Sequence, residues 1–488
     1  MTKNNLFLLI FVLSAFSVKP QTVSDFSDSA VQSRLKRDVF ALASDSMQGR
    51  NSGTEGERKA YEYIIGQFKE AGLSPMGTDS AWLQPFPYRV RKVVAGSRLS
   101  ISGTALTRFD DFGVVGFSAT GITSGGIVDV RSGLFLPDNG IDQYDGLDVT
   151  GKVVLIDLYV PRKWIRNDST AELVKPEARA RLAFTKGAAG VLFHDPDSHW
   201  GLSLGTADRP DTMPGPVLYV TWDVVKQIRA LSQPVAEMET KFSLKTDTFH
   251  NIVGYIDNQA PTTIILGAHY DHVGVGTRSG LIRNGADDNA SGTAMITELA
   301  RYYGTGQDAT SNFLVIAFSG EEEGLKGSYY YAAHPTIGLD KVSFMFNFDM
   351  VGRLGCQGNR MDAVCTATSP AWKTILKEAS SGDFRVRRIP GAGEFSDHAP
   401  FYKKDLPIAY LTTGLHYDYH TSRDDADKIN YTGMVDIYKY ARAIIRRAEE
   451  QGKLPFKKVS DWNNARSMLY YIGEQLDYVL TVGFGEME

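Results

Sequence analysis

Four apolar stretches in the second half of the chain, Thr263 to Ala268, Asn312 to Phe318, Val342 to Phe348 and Pro407 to Thr412, constrain the fold most. Each has strand length, and helical patterns such as Ser291 to Tyr303 and Gly433 to Ala448 lie between or after them. Strands alternating with helices predict a doubly wound α/β architecture, a mixed sheet with helices on both faces, because crossover helices cover a sheet buried on both sides. Such folds bind ligands at the carboxyl ends of their strands, so the residues following each stretch are the first place to look for chemistry.

Those residues are rich in His, Asp and Glu. His269-Tyr270-Asp271-His272 closes the first stretch, and Glu321-Glu322-Glu323-Gly324-Leu325 follows the second. Asp349 ends the third, and Asp418-Tyr419-His420-Thr421 follows the fourth. Between the first two stretches lies Gly285-Ala286-Asp287-Asp288-Asn289-Ala290-Ser291-Gly292. Adjacent carboxylates entering a helix repel one another unless a cation or hydrogen-bond donors neutralise them. Three acids after an apolar strand carry a similar penalty when buried. Imidazoles and carboxylates converging on one sheet edge suit Zn²⁺, which accepts nitrogen and oxygen donors without cysteine.

The rest of the chain divides by pattern. Residues 57 to 72 carry Ala60, Tyr61, Ile64, Ile65, Phe68 and Ala71 at helical spacing, with Gly72 as the stop. From Trp82 to about Ser243, short β-rich pieces such as Gly125 to Val130 and Lys152 to Leu158 alternate with Gly, Pro and Asp, which predicts a separate small domain. Leu454 to Glu488 carries Trp462, Leu469, Tyr470 and Leu476 at loose helical spacing and is expected to pack on the sheet. Lys3 precedes an apolar run from Leu6 to Phe16, too short for the roughly 20 residues that cross a bilayer and of the length of a signal-peptide core. This predicts a signal peptide at 1–20 and a protein that is secreted or periplasmic.

Composition excludes several classes. The 488 residues are 43% hydrophobic and 22% charged, which fits neither a disordered chain nor a multi-span membrane protein. The net charge of −5 without a basic block removes the footprint of a nucleic-acid binder. Two cysteines, Cys356 and Cys365, build no disulfide framework, although the tight turn that Gly355 and Gly358 suggest leaves a single short bridge open. His194 and His199 lie far from the acidic motifs and read as surface or packing histidines.

The ordered series His269-Tyr270-Asp271, Gly285 to Gly292, Glu321 to Leu325, Asp349 and His420-Thr421 resembles the dinuclear-zinc exopeptidases that include secreted bacterial leucyl aminopeptidases and vacuolar aminopeptidase Y. Met47-Gln48-Gly49-Arg50 and Phe395-Ser396-Asp397-His398 resemble further segments of that family. Asp148 to Leu155 and Lys186 to Val191 resemble its inserted protease-associated domain. The implied organisation is peptidase at 21–105, insertion at 106–245, peptidase at 246–453 and a C-terminal extension at 454–488. The resemblance implies two zinc ions, with Asp287 bridging, His269 and Asp349 completing one site, and Glu322 and His420 the other. It implies Glu321 as general base acting on a metal-bridging water, and Asp271 as the residue that fixes the tautomer of His269. Tyr417, Tyr419 and His416 remain candidates for stabilising the oxyanion.

The expected activity is removal of N-terminal residues from peptides with a free amine. A carboxypeptidase or dipeptidase would instead need a cationic clamp, for which Arg353, Arg385, Arg387 and Arg388 are conceivable donors. A single-zinc glutaminyl-cyclase-like transferase and a receptor-like binding protein without chemistry are the remaining alternatives.

Overall fold

A computed structural model describes residues 25–469 apart from 95, 166–168, 196–205, 208–212, 277–279, 357 and 380–381. The expected signal peptide, His199, Tyr470 and Leu476 lie outside the described residues. Among those described, no helix is long and apolar enough to cross a membrane.

The chain forms two compact units, residues 1–86 with 248–488, and residues 87–247. In the first, a mixed sheet includes β1 (Phe242–Ile256, which enters this unit at residue 248), β2 (Thr263–His269), β3 (Asn312–Phe318), β4 (Val342–Phe348), β5 (Arg360–Val364), β6 (Arg385–Arg388) and β7 (Ile408–Thr412). Their spatial order is β1-β3-β2-β4-β7-β5-β6. Strands β3, β2, β4 and β7 run parallel, while β1 and β5 are antiparallel to their inner neighbours. Strands β3 and β4 flank β2 on opposite sides, so the chain reverses its direction of travel there, and a crevice opens at the strand ends. The register sets His269 beside Phe318 and Phe348 beside Leu411, which brings the following residues to one edge.

The principal helices of this unit are α1 (Asp28–Leu42), α2 (Glu55–Glu70), α3 (Gly292–Tyr303), α4 (Lys326–Ala333) and α5 (Tyr431–Glu449). Alternation along the strands divides the core. Ile264, Leu266 and Ala268 face the side packed by α1, α2, α3 and α5, whereas Ile265, Leu314 and Ile316 face the side that includes Tyr331 of α4 and Phe401. Every residue of α3 is buried, which places it between the sheet and other helices. Its polar members are paired there: Arg301 reaches Asp38 at 2.7 Å and Glu298 at 2.9 Å, and Glu298 also meets Arg34. Helix α5 begins at Asn430, whose side chain accepts from Gly433 N at 2.9 Å.

In the second unit, Val153–Asp157, Gly190–His194 and Val217–Val220 form a parallel core, extended by Gly121–Asp129 and bordered by antiparallel Phe112–Val114. Arg98–Ile101 pairs with Val235–Thr240 in this sheet. By its contacts this unit runs from residue 87, where the sequence reading set the boundary at 106, and Arg98–Ile101 lies within it, paired to a strand more than a hundred residues on. His194 is fully buried on its strand. In the C-terminal extension Leu454 and Val459 are buried in the core of the first unit, and Trp462 and Leu469 are exposed. Both cysteines are free thiols, Cys356 exposed and Cys365 buried.

Candidate metal centre

His269 is the last residue of β2 and is fully buried. Its Nδ1 lies 3.2 Å from the carbonyl oxygen of Asp271. With the proton donated there, Nε2 is left free, and it faces Asp288 Oδ1 and Asp349 Oδ1, each at 3.4 Å. Asp349 follows β4 directly. On the other side of Asp288, Oδ2 lies 3.0 Å from His420 Nε2, and His420 Nε2 lies 3.1 Å from Glu322 Oε2. Asp288 thus presents one oxygen to each of two donor groups, His269 with Asp349 and Glu322 with His420.

The bridging position was expected of Asp287, and the structure places Asp288 there. The Asp287 carboxylate points elsewhere. Its Oδ1 accepts from Gly352 N at 2.6 Å and from Ser291 Oγ at 3.1 Å, and its Oδ2 lies 3.2 Å from His416 Nε2. Asp424 Oδ2 accepts from the backbone nitrogens of both residues, at 2.9 and 3.0 Å, and holds the turn. Asp288 has φ −106° and ψ 94°, and in such extended backbone neighbouring side chains point to opposite sides. Two adjacent aspartates look alike in sequence, and only this local geometry separates them.

Asp271 also differs from its expected role. Its carboxylate is 3.8 Å from His269 Nδ1, so the backbone carbonyl and not the side chain orients that ring. The side chain instead accepts from Ser52 Oγ at 3.1 Å and from the backbone nitrogens of Glu321 and Glu322 at 3.2 and 3.4 Å. It holds the turn that carries the two glutamates. Burial pushes the Asp271 carboxyl up to about 8.

Electrostatics divides the acids. Burial raises Glu321 well above the usual carboxylate range, with Glu322, Asp349 and Asp397 adding to the effect and His269 opposing it. Burial acts on Glu322 in the same direction, but hydrogen bonding from His272 and the nearness of His420 outweigh it and hold its carboxyl well below that range. Asp397, fully buried nearby, is pushed up to about 7 by the same loss of hydration.

Two contributors were not recognised from sequence. Arg50 is completely buried and donates to the carbonyl oxygens of Leu42, Tyr270, Asn284 and Gly285, at 2.6 to 2.9 Å. It gathers the His269 and Asp288 loops around one guanidinium, and burial lowers its pKa to about 10 against the pull of Asp288 and Asp271. The Met47 to Arg50 motif was the available signal. His272 has its Nδ1 2.8 Å from Glu322 Oε1. Of the three oxyanion candidates, Tyr419 lines a cavity of about 130 Å³ beside His269, Asp288, Glu321 and Asp349. Tyr417 is exposed and His416 faces Asp287. Arg353 is paired with Asp418 at 2.7 Å, and Arg387 with Asp362, so neither is a free clamp for a carboxylate.

The donor set fits a pair of divalent cations. His420 Nε2 and Asp288 Oδ2 are buried and close together, yet neither makes a hydrogen bond. Polar atoms rarely remain so unless a further partner lies between them. Oxygen and imidazole donors, with a shared carboxylate, match zinc chemistry.

Residues 251–445 match the model of peptidase family M28. Aminopeptidase YwaD of Bacillus subtilis (strain 168) is 27% identical over 220 residues, covering 43% of this chain and 46% of that protein. A probable lipoprotein aminopeptidase, LpqL of Mycobacterium tuberculosis, is 27% identical over 330 residues, covering 67% of this chain and 59% of that protein. The chain thus spans about half the length of these curated relatives. Among solved structures, an aminopeptidase from Aneurinibacillus sp. strain AM-1 superposes with a TM-score of 0.62 at 23% identity, over 89% of this chain and 98% of the other. BSAP, a zinc aminopeptidase from Bacillus subtilis, gives 0.55 at 20% identity, over 88% and 96%. At these identities the superpositions establish the fold alone, that of zinc aminopeptidases, and the match to peptidase family M28 is carried by residues 251–445.

Proposed function

We propose that this protein is an exported zinc aminopeptidase that hydrolyses N-terminal residues from peptides. The observation that carries the proposal is the shared carboxylate of Asp288, which faces His269 and Asp349 on one side and Glu322 and His420 on the other. These five residues would hold two zinc ions. When bound, zinc supplies Lewis acidity, polarising the scissile carbonyl and acidifying water.

Glu321 lines the same cavity as His269, Asp288 and Asp349 and is the general base. A carboxyl raised by burial is matched to taking a proton from water near neutral pH and returning it to the departing amine. The acids Glu321 and Asp349 also provide the negative surface that a free α-ammonium group requires, and Tyr419, which lines the same cavity, would donate toward the reacting carbonyl oxygen. Asp271 acts through others, holding Glu321 and Glu322 by their backbone nitrogens. Residues 87–247 are proposed as a protease-associated domain, and residues 1–20 as the export signal.

Zinc per chain, together with hydrolysis of paired free and N-acetylated peptides, tests this reading. About two zinc ions and N-terminal trimming abolished by acetylation are expected. Trimming from the C-terminus would refute it, an outcome the engaged state of Arg353 and Arg387 argues against. The mass of the exported protein checks the signal.

A further inference from the structure

His272 stands three residues beyond His269, fully buried, with its ring against Gly285, where a Cβ would come within 2.5 Å of Cδ2. Its Nδ1 is 2.8 Å from Glu322 Oε1 and 3.5 Å from Asp288 Oδ2. By distance alone, His272, Asp288, Glu322 and His420 are a complete set of four donors for one ion. Donor count leaves two roles for His272, a fourth ligand or a hydrogen-bond donor to a ligand, and the geometry separates them.

His420 Nε2 lies 3.0 and 3.1 Å from two carboxylate oxygens and hydrogen-bonds to neither, the arrangement of donors aimed at a common point between them. His272 Nδ1, in contrast, is aligned with Glu322 Oε1 as a hydrogen bond. The two oxygens of Glu322 are thereby divided, Oε2 toward His420 and Oε1 toward His272. The other ring nitrogen of His272 agrees with this. Nε2 is buried without a partner. Were Nδ1 a metal ligand, the ring proton would sit on Nε2 and be stranded, and orphaned buried N–H groups are rare. With the proton on Nδ1, only an acceptor lone pair goes unused.

Resting on the proposed zinc centre, we infer that His272 is a positioning residue, which donates Nδ1–H to Glu322 Oε1 and turns that carboxylate so that Oε2 alone reaches the second ion. Each ion then has three protein donors, and each keeps a position for water or substrate. A fourth donor from His272 would close the second ion as structural zinc sites are closed.

The test uses the full zinc-loaded protein. X-ray absorption at the zinc edge counts histidines, and two histidines shared over two zinc ions are expected, those being His269 and His420; three would overturn the inference. Two variants add an independent reading, zinc per chain after dialysis against a competing chelator. In His272→Asn the amide nitrogen takes the place of Nδ1 as a donor but offers no lone pair to a metal, so zinc retention matches the wild type. His272→Ala removes the hydrogen bond, and retention falls about 10–100-fold, as when an outer partner of a ligand is lost. An Asn variant as poor as Ala, or an Ala variant equal to wild type, overturns the inference while leaving the zinc centre intact. A wild-type protein that retains no zinc overturns both. The histidine count needs no variant, so it decides the matter even if the alanine protein does not fold.

Discussion

Replacing Asp288 and Asp287 one at a time separates two residues that sequence alone makes equivalent. Asp288 is shared by both donor groups, so Asp288→Asn leaves each ion with two charged or imidazole donors in place of three. Removing one partner from a buried charged cluster costs about 3–5 kcal/mol, roughly two to three and a half powers of ten in retention. The variant is expected to lose zinc and activity together. Asp287→Asn keeps an oxygen for Gly352 N and Ser291 Oγ and loses only the charge and the oxygen that face His416. A hydrogen bond to a charged group is worth about 1.5–3 kcal/mol, so this variant is expected to melt a few degrees lower. It should hold both ions with an affinity reduced about 10–100-fold at most. The assay is zinc per chain over a series of chelator concentrations, with a thermal melt to confirm that each variant is folded. An Asp287→Asn protein empty of zinc beside an Asp288→Asn protein that retains two ions would refute the assignment.

Glu321→Gln should retain two zinc ions and lose about 10²–10⁴-fold in kcat, and a near-normal rate would remove its role as base. Arg50→Met should destabilise the fold by about 3 kcal/mol or more, because the carbonyls of Leu42, Tyr270, Asn284 and Gly285 lose a buried donor; Arg50→Lys should rescue little, since an ammonium cannot match the planar fork. Chelated protein should lose stability as pH rises. Asp271 and Asp397 have folded values of about 8 and about 7, raised from 3.8, and His420 is raised to about 10 by Asp288 and Glu322 against its burial. A group with a raised folded pKa stabilises fully below its unfolded value, and that contribution is lost as pH climbs through the folded one. The melting temperature of the zinc-free protein is therefore expected to fall between pH 5 and 8, and a flat or rising profile would contradict these environments.

The order of elements in the peptidase unit was legible in sequence because each strand is a predominantly apolar run, and a strand buried on both faces tolerates little else. Placement of His269, Glu322, Asp349 and His420 at one sheet edge followed from the same runs, since parallel strands end together. Three matters depended on the tertiary structure. Which of two neighbouring aspartates faces the centre is set by the φ and ψ of one turn and by Asp424 across from it. The inclusion of Arg98–Ile101 in the second unit is set by its pairing with Val235–Thr240, a contact over more than a hundred residues that local pattern does not encode. The roles of Arg50 and His272 come from partners distant in sequence: for one, the carbonyls of four residues; for the other, a single carboxylate oxygen. Sequence by itself determined which residue types reach the edge of the sheet, because burial and periodicity are local properties. Which atom faces which is a property of the folded chain, decided where loops far apart in sequence meet.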